Sequence, residues 1–121
     1  MEVEQQDHQS RAETIAGQND RFRQTFGADF TIPGRVVVTA GVEAKGGLFL
    51  QKLMVAVMGF DDFNEGNDPH GLRDFGIVTI DGARVYWKLD LFDPSYEWGA
   101  EDPANPARTR RVLTLLLPEE Y

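Results

Sequence analysis

The residues best suited to chemistry lie close together in one short stretch. Asn67-Asp68-Pro69-His70-Gly71 is followed by Asp74-Phe75-Gly76, and His70 is one of only two histidines in the chain. An imidazole flanked by Asp68 and Asp74 could act as a general base held in one tautomer. With an upstream aspartate, the same side chains could instead supply oxygen and nitrogen ligands to a divalent metal. The candidate pocket predicted here comprises Asn67, Asp68, His70, Asp74 and Trp87.

The same stretch also has the composition of a tight turn. Asn, Asp, Pro and Gly favour turns, in part because an Asp side chain accepts hydrogen bonds from nearby backbone amides. The segment that starts at Asp61 departs from a calcium-binding loop, with Phe63 in place of an oxygen ligand and Leu72 in place of the closing Glu. We therefore predict no metal and no cofactor, and the sequence favours a protein without enzymatic activity. A turn, a binding site and a catalytic site all stay open for this stretch.

The negative charge of the chain is concentrated in one segment. The 121 residues include 12 Lys and Arg against 20 Asp and Glu, a net charge of −8. Residues 61–102 hold eleven acidic residues against three basic ones, which equals the whole excess. This balance argues against a protein whose main task is to grip nucleic-acid phosphates. Cysteine is absent, which excludes disulfides and thiolate chemistry.

Two loops and a hairpin turn in this segment could form one acidic surface, with Trp87, Tyr96 and Trp98 nearby. Such a surface either keeps a small domain soluble or docks a basic protein by electrostatic complementarity. In the extreme form, regularly spaced carboxylates on a β-hairpin would imitate nucleic-acid phosphates. The predicted binding surface comprises Asp61, Asp62, Glu65, Asp68, Asp74, Asp90, Asp93, Glu97, Glu101 and Asp102.

The first half of the chain predicts a tail, a helix, a strand and a second helix. Residues 1–9 are polar and predict a flexible tail, and residues 10–121 predict one domain. Helical spacing predicts a first helix from Ser10, where Glu13 would complete a capping box, to Phe26. The β-branched stretch Arg35–Val42 predicts a buried strand. The apolar stripe over Leu48–Met58 predicts the second helix.

The second half predicts three strands. Phe75–Ile80 and Val85–Phe92 flank Asp81-Gly82, a strong signal for a two-residue hairpin turn. Arg111–Leu117 predicts the last strand. The fold class is therefore α+β: a single domain with two helices packed on one face of a mostly antiparallel sheet of about four strands, in the order helix-strand-helix-strand-strand-strand.

Two basic clusters have structural explanations. Arg21 and Arg23 could form ion pairs with Asp20 or with the acidic segment. Arg108, Arg110 and Arg111 could protect a sheet edge. Neither cluster is large enough to predict nucleic-acid binding.

The compartment follows by elimination. The N-terminal residues are polar and acidic, whereas a secretory signal needs a basic start and an apolar stretch. The longest apolar-rich run, Leu48–Phe63, is interrupted by polar and charged residues and is not expected to span a bilayer. We predict a cytoplasmic protein with no membrane contact.

Several stretches resemble a bacterial family known as domain of unknown function 3768. They are Asn19-Asp20-Arg21-Phe22-Arg23, Gly34-Arg35-Val36-Val37-Val38-Thr39-Ala40-Gly41-Val42, Phe60-Asp61-Asp62-Phe63, Asn67-Asp68-Pro69-His70-Gly71, Asp74-Phe75-Gly76, Trp87-Lys88-Leu89-Asp90 and Arg111-Val112-Leu113-Thr114. The resemblance implies a proteobacterial protein of a family often met on plasmids and other mobile elements. It implies no established activity and no catalytic residue.

Three functional hypotheses follow. The leading one is a non-enzymatic acidic protein that binds, and could inhibit, a basic partner protein, as a DNA mimic encoded on a mobile element would inhibit a nucleic-acid-processing or defence system. The second is a small metal-binding protein or hydrolase-like enzyme centred on Asp68, His70 and Asp74. The third is a structural domain that forms a homodimer through a sheet edge.

Overall fold

Three α-helices and four β-strands make up the part of the chain that the computed structural model describes, which is the backbone of residues 2–121 and the side chains of residues 9–121. The helices are α1 (Glu2–Thr25), α2 (Ala40–Glu43) and α3 (Gly47–Met58). The strands are β1 (Gly34–Val38), β2 (Phe75–Ile80), β3 (Ala83–Phe92) and β4 (Arg110–Leu116). Short 3-10 helices at Pro106–Arg108 and Pro118–Glu120 flank β4.

The four strands form one mixed sheet in the order β1-β4-β3-β2. Strand β4 runs parallel to β1, with Val36 opposite Leu113, and antiparallel to β3, with Trp87 opposite Leu115. Strands β2 and β3 form an antiparallel hairpin. The α+β class is confirmed, and two of the three strand pairs are antiparallel as predicted.

The predicted hairpin turn is confirmed. Asp81 and Gly82 both have positive φ, 50° and 82°, and they connect the paired residues Ile80 and Ala83. Two consecutive left-handed residues define the tight turn whose twist matches the flanking strands. The turn fixes the register of β2 on β3.

Helix α1 buries one face and ends at two left-handed residues. Its buried residues recur at helical spacing, and they are Ile15, Ala16, Asn19, Phe22 and Arg23. Phe26 and Gly27 follow with φ of 51° and 79°, and the Gly27 amide donates to the Phe22 carbonyl. The predicted start was wrong, because the helix runs through Ser10 and Glu13 from Glu2 onwards. The flexibility predicted for residues 1–9 stays a prediction.

The first strand is shorter than predicted. It ends at Val38, and the Thr39 amide makes the last ladder bond, to the Leu115 carbonyl. The chain then forms α2, which buries Val42 in the core as a helical residue. The prediction of a strand over Arg35–Val42 was therefore wrong in its second half. The predicted second helix is confirmed as α3, but the predicted stripe is not its buried face: Phe49, Leu53 and Val57 are buried, whereas Leu48 and Met54 are exposed.

Helices α1 and α3 cover the same face of the sheet. Phe22 of α1 packs next to Gly34, and Phe60, just after α3, packs next to Gly76. The register places Gly34 beside Arg111 and Gly76 beside Trp87, and side chains alternate between faces along a strand, so both contacts lie on one side. Arg111 is fully buried on this face. Its predicted role at a sheet edge was wrong, because β4 is an interior strand.

Candidate functional site

The topology brings three loops to one end of the sheet. Residues 26–33 precede β1, residues 59–74 precede β2, and residues 93–109 join β3 to β4. The starts of β1, β2 and β4 and the end of β3 share this end, as the pairs Gly34–Arg111 and Phe92–Arg110 show. We refer to these three loops together as the loop end.

The loop end carries the charge imbalance of the whole protein. It holds ten carboxylates against two Arg residues, a net charge of −8, so the rest of the chain is balanced. The ten are Asp29, Asp61, Asp62, Glu65, Asp68, Asp74, Asp93, Glu97, Glu101 and Asp102. Nine of the ten residues predicted for the acidic surface are among them.

The hairpin tip does not belong to this surface. The Asp81-Gly82 turn lies at the opposite end of the sheet, and Lys52 Nζ donates to the Asp81 carboxylate at 2.9 Å. Asp90, the tenth predicted residue, lies on β3 and pairs with Lys88. The strands therefore carry no regular row of carboxylates, and the acidic charge lies in loops.

Several loop-end carboxylates make no contact of their own. Asp61, Asp62, Glu65 and Glu97 are exposed, and none of their side chains has a hydrogen bond or ion pair among the described residues. Like charges held close together without counter-charges repel one another and disfavour the compact state. The fold itself gains nothing from these four groups.

Asp93, unlike these four residues, forms side-chain hydrogen bonds within its own loop. Its carboxylate accepts hydrogen bonds from the Ser95 hydroxyl at 2.7 Å and from three backbone amides of the turn, those of Ser95, Glu97 and Trp98. The Ser95 hydroxyl and these amides lower the pKa of Asp93. This carboxylate shapes the loop that presents Glu97 and Trp98.

Two large aromatic side chains are exposed at the loop end. Trp98 is 71% exposed and Phe30 is 89% exposed. Trp98 follows Glu97 in the third loop, and Phe30 follows Asp29 in the first. Exposed aromatic groups among charged ones are typical of surfaces that bind other proteins, where Trp contributes strongly once it is desolvated.

The motif around His70 folds as a self-contained turn. The side-chain oxygen of Asn67 accepts from the backbone amide of Asn64 at 2.8 Å, and its side-chain nitrogen donates to the Asp62 carbonyl at 2.6 Å. The Asp68 carboxylate accepts from the Arg73 amide at 3.0 Å. The Asn and Asp of the motif are thus occupied by their own loop, as the turn interpretation expects.

Among the described residues, no hydrogen bond joins the side chains of Asp68, His70 and Asp74. His70 is exposed, and it makes no hydrogen bond to Asp74 within the described part of the chain. Burial, and then the nearby carboxylates Asp68 and Asp90, raise the pKa of Asp74, while its own backbone amide and the nearby His70 act in the opposite direction. Trp87 is fully buried against Phe60 and so does not line an open pocket. Among the described residues, no group of three or more His, Asp or Glu side chains could hold a metal ion.

The comparisons with known proteins identify the family. A family model described as a protein of unknown function, DUF3768, matches residues 38–120. The chain belongs to this family. The comparison with curated proteins found no match, and neither did the comparison with solved structures. In the described part of this DUF3768 protein, no helix combines the length and apolarity needed to cross a membrane.

Helix α1 lies outside the matched segment but supports the acidic loops. Arg23, only 1% exposed, donates to the Val57 carbonyl at 3.1 Å and to the Phe60 carbonyl at 3.0 Å. It also pairs with Asp20 at 2.9 Å, and Asp20 in turn accepts from Arg73 at 2.6 Å. The predicted pairing of Arg23 with Asp20 is confirmed. These contacts fix the start and the end of loop 59–74 on α1.

The guanidinium of Arg23 also stacks on aromatic rings. It lies 5.3 Å from the Phe63 ring centroid and 5.2 Å from that of Trp87. Cation–π contacts of a desolvated Arg are among the stronger ones of this type. Phe63 is therefore held between the helix and the core, which positions the acidic residues beside it.

A second buried arginine joins α1 to the sheet. Arg111 donates to Asn19 at 2.7 Å and to Gln18 at 3.1 Å, and Asn19 donates to the Leu72 carbonyl at 2.8 Å. Burial lowers the pKa of Arg111 to about 10. One of its terminal nitrogens, Nη1, has no partner among the described residues.

Sequence reasoning missed part of the loop end. Asp29 and Phe30 lie in a segment whose local charge is nearly balanced, so composition gave no reason to group them with residues 61–102. Only the parallel pairing of β1 with β4 places their loop at the same end. The burial of Arg23 and Arg111 in the core also has no signal in the local sequence, because Arg is usually exposed.

Proposed function

We propose that this DUF3768 protein is a non-enzymatic binding protein whose loop end docks a basic surface on a partner protein. The observation that carries the proposal is the convergence of ten carboxylates and two Arg residues on one end of the sheet, together with an exposed Trp98. The partner would supply Lys and Arg side chains around an apolar recess for the indole ring.

The energetics favour a partner over a purely solubilising surface. A solubilising surface needs charge of either sign spread over the molecule, whereas here the rest of the chain is balanced. A cationic partner would relieve the repulsion among the free carboxylates and would be steered to them electrostatically. Desolvation of Trp98 would then stabilise the complex after encounter.

The test uses two variants with the same change in net charge. Asp61→Asn, Asp62→Asn and Glu65→Gln together neutralise exposed carboxylates of the loop end. The matched control neutralises three exposed carboxylates away from the loop end, by Glu43→Gln, Asp81→Asn and Glu119→Gln. Both triple variants and the unmodified protein are used to capture proteins from a bacterial lysate at about 0.05 M and about 0.5 M salt, which changes the Debye length roughly threefold.

A supporting result is specific. A basic protein should be retained by the unmodified protein and by the control, lost by the loop-end variant, and released at the higher salt. Its purified form should then bind the unmodified protein directly and quench or shift the fluorescence of Trp98, since Trp87 is buried and reports the core. Equal retention by the two triple variants would sink the proposal, because net charge alone would then explain binding.

A narrower proposal concerns the class of partner. If the partner is a nucleic-acid-processing or defence protein, the loop end would occupy its phosphate-binding groove, and the protein would act as an inhibitor. The position of the carboxylates in loops supports an irregular charge surface rather than a regular copy of a phosphate ladder. Duplex DNA should then compete with the protein for the purified partner, whereas a partner unaffected by DNA would exclude mimicry and leave basic-surface docking intact.

A further inference from the structure

Strand β2 is an unprotected sheet edge. It lies at the end of the strand order, and its sequence, Phe75-Gly76-Ile77-Val78-Thr79-Ile80, has no charged residue and no proline. Natural edge strands are commonly protected by Lys, Pro, a bulge or a covering element. An uncharged edge of this length is a template for another strand.

The backbone of β2 has groups directed outwards. The Leu89 amide donates to the Asp74 carbonyl, so the alternation of antiparallel bonding directs Gly76, Val78 and Ile80 to β3. The amide and carbonyl groups of Phe75, Ile77 and Thr79 therefore point away from the sheet. Across the described residues, these three amides have no backbone or side-chain acceptor.

The opposite edge, β1, differs. Pro33 directly precedes it, and it carries Arg35, whose guanidinium lies 3.7 Å from the ring centroid of Tyr96. A proline and a charged residue are two of the features that protect an edge. The two edges of this sheet are therefore not equivalent.

Helix α3 adds an exposed apolar stripe on the same side of the molecule. Leu48 and Val55 are both exposed, and they lie one turn from Lys52 on the helix surface. Lys52 reaches Asp81 at the end of β2, so this flank of α3 faces the β2 hairpin. The apolar flank of α3 thus lies next to the hairpin that carries the unpaired edge.

We propose that a second copy of this chain pairs with β2 in antiparallel orientation about a two-fold axis at Ile77. Ile77 then faces its own counterpart, and Phe75 faces Thr79 of the other copy in both directions. Each of these three residue pairs exchanges two hydrogen bonds, about six in all. The two sheets become one continuous sheet, and β2 itself brings no charged side chain to the junction.

The charge distribution favours this orientation. An antiparallel pair places the loop end of one copy beside the hairpin tip of the other, and so keeps the two net charges of −8 apart. A parallel pair would bring both loop ends together, and like charges at close range cost several kcal/mol. The two-fold arrangement is also the closed one, so it ends at a dimer rather than a fibre.

The test is the molar mass in solution, measured by light scattering or sedimentation. At about 0.3 mM, where a complex of micromolar affinity is populated, the unmodified chain should have twice its 13.6 kDa mass. Ile77→Lys places two like charges opposite each other and should give the single-chain mass. The matched control is Val37→Lys, on the other edge strand and the same sheet face, since both side chains are 39% exposed; it should remain dimeric.

Charge exchange sharpens the result. An equimolar mixture of the Ile77→Lys and Ile77→Glu variants should recover the doubled mass, because Lys and Glu then face each other on the axis. Hydrogen exchange should show the amides of Ile77 and Thr79 protected in the unmodified chain and exposed in Ile77→Lys. A single-chain mass for the unmodified protein, or a dimer that survives Ile77→Lys, would overturn the proposal.

Discussion

Replacement of Arg23 by Met should be far more costly than replacement of Arg73, although both pair with Asp20. The Arg23 side chain is 1% exposed and that of Arg73 is 48% exposed. The first change removes a buried cation from a carboxylate, two carbonyls and two aromatic rings. The second removes one ion pair at the surface and one exposed contact with the Phe63 ring, whose centroid lies 5.3 Å from the guanidinium.

The two variants should differ clearly in how much free energy of unfolding they lose. Removal of one partner of a buried charge pair costs about 3–5 kcal/mol, because the remaining groups stay buried without compensation. The Phe60 carbonyl and part of the Asp20 carboxylate are left in this state after Arg23→Met. Loss of an exposed pair costs about 0–1 kcal/mol, which is the expectation for Arg73→Met.

Urea denaturation followed by circular dichroism measures both changes. With a slope of about 2 kcal/mol per molar urea, Arg23→Met should lower the unfolding midpoint by roughly 2 M and Arg73→Met by less than about 0.5 M. If Arg23→Met is unfolded in buffer, Arg23→Lys retains the charge without the planar fork and should show a smaller loss. Costs within about 1 kcal/mol of each other for Arg23→Met and Arg73→Met would refute the role assigned to the buried guanidinium.

Two further changes probe the acidic loop and the core. Asp74→Asn should raise the free energy of unfolding at pH 7, because burial raises the pKa of Asp74 and the charged form is therefore disfavoured in the folded state. This gain in the free energy of unfolding should shrink as the pH falls towards the ordinary Asp pKa, because the folded state then takes up the proton more readily than the unfolded one. Urea titrations of both proteins at several pH values measure the gain. The same gain at every pH would contradict the prediction. Gly76→Ala should cost about 1–3 kcal/mol, because its Cβ would lie 2.4 Å from Trp87 Nε1. Gly47→Ala, whose Cβ meets nothing within 4 Å, is the control in the same thermal melts and should not destabilise; equal melting temperatures for the two variants would show that the indole can move aside.

Local patterns predicted the elements well where a residue's own neighbours decide the outcome. The Asp81-Gly82 turn depends on two residues that tolerate positive φ, and the presence of α3 depends on its apolar content at helical spacing, so both were visible in the sequence. The strand was predicted to continue to Val42, whereas it ends at Val38. The small and β-branched residues of Ala40–Glu43 fit either a strand or a helix. Tertiary contact of Val42 with the core decides it.

The candidate site was predictable only in part, for a related reason. Charge counting finds residues 61–102, but it cannot tell which loops meet, and it grouped Asp81 with residues at the other end of the sheet. The position of Asp29 depends on the pairing of β1 with β4, in which paired residues such as Gly34 and Arg111 are 77 positions apart in the chain. The turn composition of Asn67–Gly71 was visible in the sequence, because Asn and Asp satisfy backbone groups locally, as Asn67 and Asp68 do here.

The strand order has a consequence for folding during synthesis on the ribosome. Strand β4 is the last strand to be synthesised, yet it lies between β1 and β3 in the finished sheet. A nascent chain that has emerged as far as Phe92 can close the β2–β3 hairpin, but β1 has no neighbour and Arg23 and Trp87 have no complete core around them. Such a chain exposes apolar strands until β4 has been synthesised. We therefore expect chaperones to bind the nascent chain before it folds, rather than stepwise folding during translation.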